Sequence, residues 1–265
     1  MEWLESQLLE LERKERAELK QLVRQARQLL AERLLRHQGR QVEVEIYAVL
    51  VWLMAALRDV MLQYEEAAYR LGYYATAWQA DILPAQLDSG FVRDTLQKPY
   101  IDATLTQRLS DLENQYTPKF RRRVTQSELE EESFEMMLLA LNDIWGLKKT
   151  AQALWASIWL LGVSELWRAG NDGVEYAIDV VPPDLMQGKQ WVTAGDERVC
   201  PICGKVHMEI KPMGSLFSNG FYRPPAHARC RCLLRLLVNV VNEMGYRQWA
   251  SKNSITPEED GTKLI

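Results

Sequence analysis

The stretch Val42-Glu-Val-Glu-Ile46-Tyr-Ala-Val-Leu50-Val-Trp-Leu53-Met-Ala-Ala-Leu57-Arg-Asp-Val60-Met-Leu-Gln-Tyr64-Glu-Glu-Ala-Ala68-Tyr-Arg-Leu71-Gly-Tyr-Tyr-Ala75 decides the fold class. Ile46, Leu50, Leu53, Leu57, Val60, Tyr64, Ala68, Leu71 and Ala75 recur at threes and fours, which lines one face of an α-helix. The spacing predicts a single helix over 42–80. Between Ile46 and Leu57 the segment is apolar nearly all round, which predicts burial. That run is shorter than the roughly 20 residues a bilayer crossing takes, so it is not read as a membrane span.

Working outward toward the N-terminus, Leu4, Leu8, Leu11, Leu19, Leu22, Ala26, Leu29 and Leu30 predict another long helix over 2–38, with Glu15 breaking the stripe once. Glu12-Arg13-Lys14-Glu15-Arg16 reads as a solvated face with i,i+4 pairs, and His37 as a surface residue. Gly39 ends the helix. Two long helices joined by a short turn predict an antiparallel hairpin, either a docking arm or the core of a helical bundle.

Toward the C-terminus, Pro84, Gly90 and Pro99 predict a loop over 82–100, followed by a helix over 101–116 that stops before Pro118. The basic run Lys119-Phe-Arg121-Arg122-Arg123 is either solvated or a contact for phosphate or an acidic partner. Ser127 and Glu130 have the spacing of a capping box opening a helix to about 145. A further helix over 147–169 is apolar on most sides and so central, and Gly170-Asn-Asp-Gly173 closes it. Strands are expected over 174–181, 190–199 and 233–241, with a long loop over 208–222. The expected organisation is a helical hairpin (1–80), further helices packed on it (81–170), a small α+β module (171–245) and a polar tail (246–265). The fold class is mainly α with a small C-terminal α+β module.

A formal net charge of −4 over 265 residues argues against a dedicated nucleic-acid binder, though not against a local basic patch. The nine tryptophans fit either helix core or a protein interface.

The chemistry gathers in one place. All four cysteines fall between Cys200 and Cys232, in Cys200-Pro-Ile-Cys203 and Cys230-Arg-Cys232. Cys-x-x-Cys aims two thiolates from one tight turn at a single ion, and a tetrahedral zinc takes two more ligands from elsewhere. Cys230, Cys232 and His227 can supply them, with His207 as a further candidate. Pro201 stiffens the first turn, and Gly204 permits a positive φ after it. Reduced thiols or disulfides across the pairs are the alternatives. The first residues, Met1-Glu-Trp-Leu-Glu, have neither the basic nor the apolar region of a secretory signal, so an oxidising compartment is not expected. Four ligand-capable groups fill a zinc site, which predicts a structural rather than a catalytic ion. His-Glu-x-x-His is absent, and no Ser/His/Asp or Cys/His arrangement for nucleophilic catalysis is found.

Trp191-x-Thr193, Asp196-x-Arg198-Val-Cys200-Pro-x-Cys203 and Pro224-Pro225-x-His227-x-x-Cys230-Arg-Cys232 together resemble the phage Mu protein F-like family, the minor head or head-morphogenesis proteins of tailed bacteriophages. That family carries a helix with Thr-Glu and then Asn-x-Gly ahead of the Trp, and Ser164-Glu165 and Asn171-Asp-Gly173 stand there in this chain. Ser for Thr is one departure. Gly204-Lys-Val-His in place of the usual Leu-Asp-Gly stretch is another. The resemblance spans roughly 150–238. It implies a structural virion protein at the portal vertex, without enzymatic activity, acting in head assembly or in DNA packaging or ejection. The implied partners are the portal protein and other head and neck proteins, with several copies per virion and packaged DNA as a further contact. The alternative expectation is a phage-associated zinc-dependent enzyme, such as a nuclease or toxin-like domain.

Overall fold

The computed structural model describes residues 2–36, 42–80, 87–97, 104–129, 149–194 and 199–238, with backbone alone at 2, 34–35, 42–43, 120–129 and 149–152. The chain is mainly helical with a small three-stranded antiparallel sheet near its C-terminus. The helices are α1 (Glu2–Arg36), α2 (Val42–Gln79), α3 (Ser89–Leu96), α4 (Leu105–Leu129), α5 (Lys149–Val180) and the one-turn α6 (Pro201–Gly204). The strands are β1 (Met186–Val192), β2 (Ile210–Lys211) and β3 (Leu233–Val238), in the order β2-β1-β3. No helix among the described residues is long and apolar enough to cross a membrane.

Contacts divide the chain into two compact units that interleave in sequence. One comprises Met1–Glu15, Met61–Gln97 and Leu161–Ile265; the other comprises Arg16–Val60 and Lys98–Leu160. In the second unit, Leu19, Leu30, Leu50, Leu53, Leu109 and Ile158 are among the buried core residues. Arg33 pairs with Glu45 at 3.1 Å, Tyr116 bonds Ser157 at 3.3 Å, and Arg16 lies over the Trp159 ring. The connection expected at Gly39, and His37 with it, lies outside the described residues.

The first unit is built on a close crossing of α2 and α5. A Cβ at Gly173 would stand 1.9 Å from the Tyr69 carbonyl oxygen, and one at Gly72 would stand 2.0 Å from that of Gly170. Only glycine allows two helix backbones to approach so far. A glycine inside a helix costs up to about 1 kcal/mol of propensity, which the close packing offsets. This overturns the expected helix end at 170–173 and the expected strand over 174–181. α5 runs unbroken to Val180, because its glycines serve packing rather than termination. The module boundary drawn at 171 therefore falls inside a helix.

Other expectations change for equally local reasons. Gly90 belongs to α3, whose N-cap Asp88 accepts a hydrogen bond from the Phe91 N–H at 3.1 Å, and Val92 and Leu96 anchor that helix by burial. α4 starts later than expected and continues through Pro118, losing one backbone bond without ending. Ser127 consequently sits inside α4 and opens nothing, and Glu130 lies outside the described residues, as does the helix expected beyond it. β1 lies earlier than expected, at Met186–Val192, and the excursion thought to be loop contains β2. The polar tail and the end of the strand expected over 233–241 fall outside the described residues.

α2 departs most from expectation. Its apolar first half buries Ile46, Val49, Leu50, Leu53, Met54 and Leu57 but exposes Val44, Tyr47, Val51 and Trp52. Its second half, with Glu65, Glu66 and Arg70, is buried without interruption over 64–77.

Candidate metal centre

The first arm of the site is the α6 turn. Cys200 is its N-cap, with the Cys200 Sγ accepting from the Cys203 N–H at 3.3 Å, and Pro201 fills the first helical position, where no N–H is needed. Gly204 belongs to this turn, so the positive φ expected there is absent. Left-handed backbone falls instead at Met208 and Arg229, with φ of 63° and 60°. His207 turns away from the cysteines. Its Nδ1 accepts from the Thr193 N–H at 3.2 Å and lies 2.9 Å from the Thr193 hydroxyl, tying the arm to the end of β1.

The second arm enters through Pro224 and Pro225, both buried and joined by a cis peptide. It then turns so that the Cys230 N–H donates to the His227 carbonyl at 3.1 Å. His227 Nε2 comes within 2.9 Å of Cys200 Sγ and 3.3 Å of Cys203 Sγ. Cys203 and Cys230 sulfurs are 3.7 Å apart. The donors form two triads that share Cys203, one with Cys200 and His227, the other with Cys230 and Cys232.

The sulfur spacing fits a tetrahedral ion. With metal–sulfur bonds of about 2.3 Å, the sulfur–sulfur edge of a tetrahedron is about 3.8 Å, matching the Cys203–Cys230 separation. All four cysteines are free thiols, and the disulfide alternative is not formed. The His227 Nδ1 donates to the Ala228 carbonyl at 2.7 Å, leaving Nε2 as the lone-pair nitrogen that faces the sulfurs, as a ligating imidazole requires. The cluster can hold a metal ion.

The neighbours of each donor shift its affinity for a proton. Hydrogen bonds from the Cys203 and Cys232 thiols hold Cys230 far below the usual thiol range, while the hydrogen bond and charge of Cys230 drive Cys203 up. Burial raises Cys200, but the Cys203 N–H, the Cys203 thiol and His227 bring it net down. Burial lowers His227, yet the Ala228 carbonyl with Cys230 and Cys200 leaves it net raised. A divalent cation bound there would take the place of the thiol protons.

α5 is the wall on which the site is mounted. The Asn171 side chain donates to the Cys232 carbonyl at 3.0 Å and accepts from the Leu234 N–H at 2.7 Å, clamping both ends of the cysteine exit into β3. Ser164 Oγ accepts from the Arg229 N–H at 3.0 Å. Between them Arg168, 4 % exposed, meets Glu165 at 2.8 Å, Glu65 at 3.3 Å and Asp172 at 2.5 Å. Burial opposes its charge, but these carboxylates raise its pKa well above the usual guanidinium value. Arg223 extends the network, at 2.7 Å from Asp172 and 2.8 Å from Glu175.

The excursion between the two arms is pinned to β1. Lys189, fully buried, donates to the Tyr222 carbonyl at 2.7 Å and lies over the Tyr222 ring. Burial pushes Lys189 down to about 8, against the pull of Glu175. Trp191, also fully buried, meets Phe217 edge to face at 5.2 Å. Glu209 receives the Ser218 N–H and hydroxyl.

The structure brings together Cys200, Cys203, His227, Cys230 and Cys232, and places Trp191, Pro224 and Pro225 around them. Asp196 and Arg198 lie outside the described residues. Lys119 is exposed on α4 and lies over the Tyr116 ring, and the side chains of Arg121, Arg122 and Arg123 are outside the description. Lys189 and the Arg168 hub carry no metal or nucleophile signature and were missed. The Glu165, Arg168, Asp172 spacing of three and four was the available signal for the hub. No family model, no curated protein and no solved structure matches this chain.

Proposed function

We propose that this chain is a structural minor head protein of a tailed bacteriophage, seated with the portal protein and carrying one structural zinc in its C-terminal module. The observation that carries the reading is the Asn171 clamp. The two halves of the motif, the helix lead-in and the cysteine set, are joined in sequence only by the family resemblance. Yet Asn171 grips the Cys232 carbonyl and the Leu234 N–H, and Ser164 grips the Arg229 N–H. Every quoted position of the lead-in has mechanical work: Glu165 binds Arg168, and Gly173 admits the α2 backbone. Such a motif supports a scaffold more readily than a reacting centre.

Zinc suits the donors, which are thiolates and one imidazole with tetrahedral spacing. Bound there it supplies a cross-link between the α6 turn and the entry to β3, and more donors than four places leave no open position for water. Cys203 and Cys230 would hold the ion, joined by two of Cys200, His227 and Cys232. The chain's own residues do the rest: Ala228 sets the His227 tautomer, and Asn171 and Thr193 hold the two arms against α5 and β1.

The test is native mass spectrometry of this chain co-expressed with the portal protein of the same phage, followed by a nuclease assay. A portal ring carrying copies of the chain, each heavier by one zinc, is expected. A free chain that never joins the ring removes the head-protein reading, and nucleic-acid cleavage lost on chelation replaces it with the zinc-enzyme alternative.

A further inference from the structure

Trp191 has more to do than fill space. It is fully buried at the end of β1, and its indole N–H makes no hydrogen bond of ordinary geometry. A buried N–H without a partner costs roughly 1–3 kcal/mol unless the folded, loaded state supplies one. The β1–β3 register shows what is available. Trp191 pairs with Leu234 and Val192 with Leu233, so Cys232, the residue just before β3, stands two positions ahead of the Trp191 partner, at the diagonal position. Diagonal neighbours on one face are within reach of an aromatic side chain.

We propose that the Trp191 indole N–H is the outer-shell hydrogen-bond donor to Cys232 as a metal-bound thiolate, which assigns Cys232 to the ligand set with Cys203 and Cys230. This rests on the metal reading above. Metal-ligating groups ordinarily have a second partner that fixes their orientation and tunes their basicity. Ala228 does this for His227, and the Cys203 N–H does it for Cys200. Cys232 enters the cluster from the residue just before β3, and the neighbouring strand β1 presents the buried indole N–H of Trp191. With three buried thiolates around one divalent cation, the first shell carries net negative charge, and a donated hydrogen bond spreads that charge off the sulfur. Arg229 and Arg231 line the same small pocket. Trp191 is thus a positioning residue that selects which sulfur completes the site.

The experiment uses the full chain loaded with cadmium-113. Its indole Hε1 resonances are assigned by their loss in Trp191→Phe, or, should that variant not fold, by the contacts of Trp191 with Phe217. The expected result is one cadmium per chain and a Trp191 Hε1 shifted downfield and scalar-coupled to the metal through the N–H···S bond. Trp191→Phe should bind zinc about 10- to 100-fold more weakly, and the loss should vanish in a Cys232→Ser background. One cadmium per chain with an uncoupled, unshifted Hε1 overturns the role of Trp191 and leaves the metal reading intact. No bound cadmium overturns both.

Discussion

The two halves of α2 invert the usual relation between composition and burial. The first half, apolar nearly all round, leaves Val44, Tyr47, Val51 and Trp52 at 59 %, 55 %, 41 % and 38 % exposure. The second half carries Glu65, Glu66 and Arg70 and is buried continuously over 64–77. The difference lies in what each half meets. Gly72, Gly170 and Gly173 bring α5 against the second half at backbone contact, and Arg168 and Arg93 arrive to neutralise Glu65 and Glu66. A helix face is buried by having a partner whose shape and charge match it; apolarity alone supplies the drive but not the partner.

The largest expected effect isolates that partnership from the metal. Cys203→Ser, or chelation of the loaded protein, should abolish cooperative unfolding of the module over 182–238, because metal binding is folding free energy in small metal-stapled units. Helical circular dichroism should change little, since the α2–α5 crossing does not contain the ion. Loss of most of the helical signal would show that the buried half of α2 depends on the module.

Arg168→Met comes next, at about 3–5 kcal/mol of destabilisation in urea titrations, because it strands the buried carboxylates of Glu65 and Glu165. A loss below about 1 kcal/mol would mean that other contacts neutralise them. Gly173→Ala should cost about 3 kcal/mol, since the added Cβ meets a carbonyl oxygen of the opposing helix rather than a flexible side chain. A neutral Gly173→Ala in thermal melts would disprove the close crossing. Smallest is Tyr47→Ser, on the exposed face of the apolar half, expected within about 0.5 kcal/mol of wild type. A cost of 2 kcal/mol there would restore the symmetry between the halves.

Much of this was legible beforehand. The long helices follow from apolar periodicity, and the five donors follow from residue type and spacing. The solvated face read at Glu12 and Glu15 is instead buried at both residues, with Glu12 accepting from the Trp167 indole N–H at 2.8 Å; the misread helix ends share another cause. Gly170, Gly173, Gly90 and Pro118 read as punctuation in the sequence because, in an isolated segment, glycine and proline weaken a helix. In the folded chain Gly173 permits a contact worth more than its propensity costs, and α4 carries Pro118 in its interior. His227, three residues before Cys230, is the leading histidine by spacing and faces the sulfurs, whereas the further candidate His207 is held by Thr193, because each ring's direction depends on the strand or turn that carries it.

What the sequence determined by itself was local: periodicity that makes α1, α2 and α5 helical, a Cys-Pro-x-Cys turn whose backbone geometry places two sulfurs side by side, and a clustering of every cysteine in one segment. What only the tertiary structure decided was pairing over long separations. It chose Arg168 for Glu65, Asn171 for the Cys232 carbonyl, Lys189 for the Tyr222 carbonyl, and His227 over His207 for the cysteines. Such pairings depend on how helices and strands cross, and hence on shape complementarity summed over many residues, which no single residue or spacing encodes.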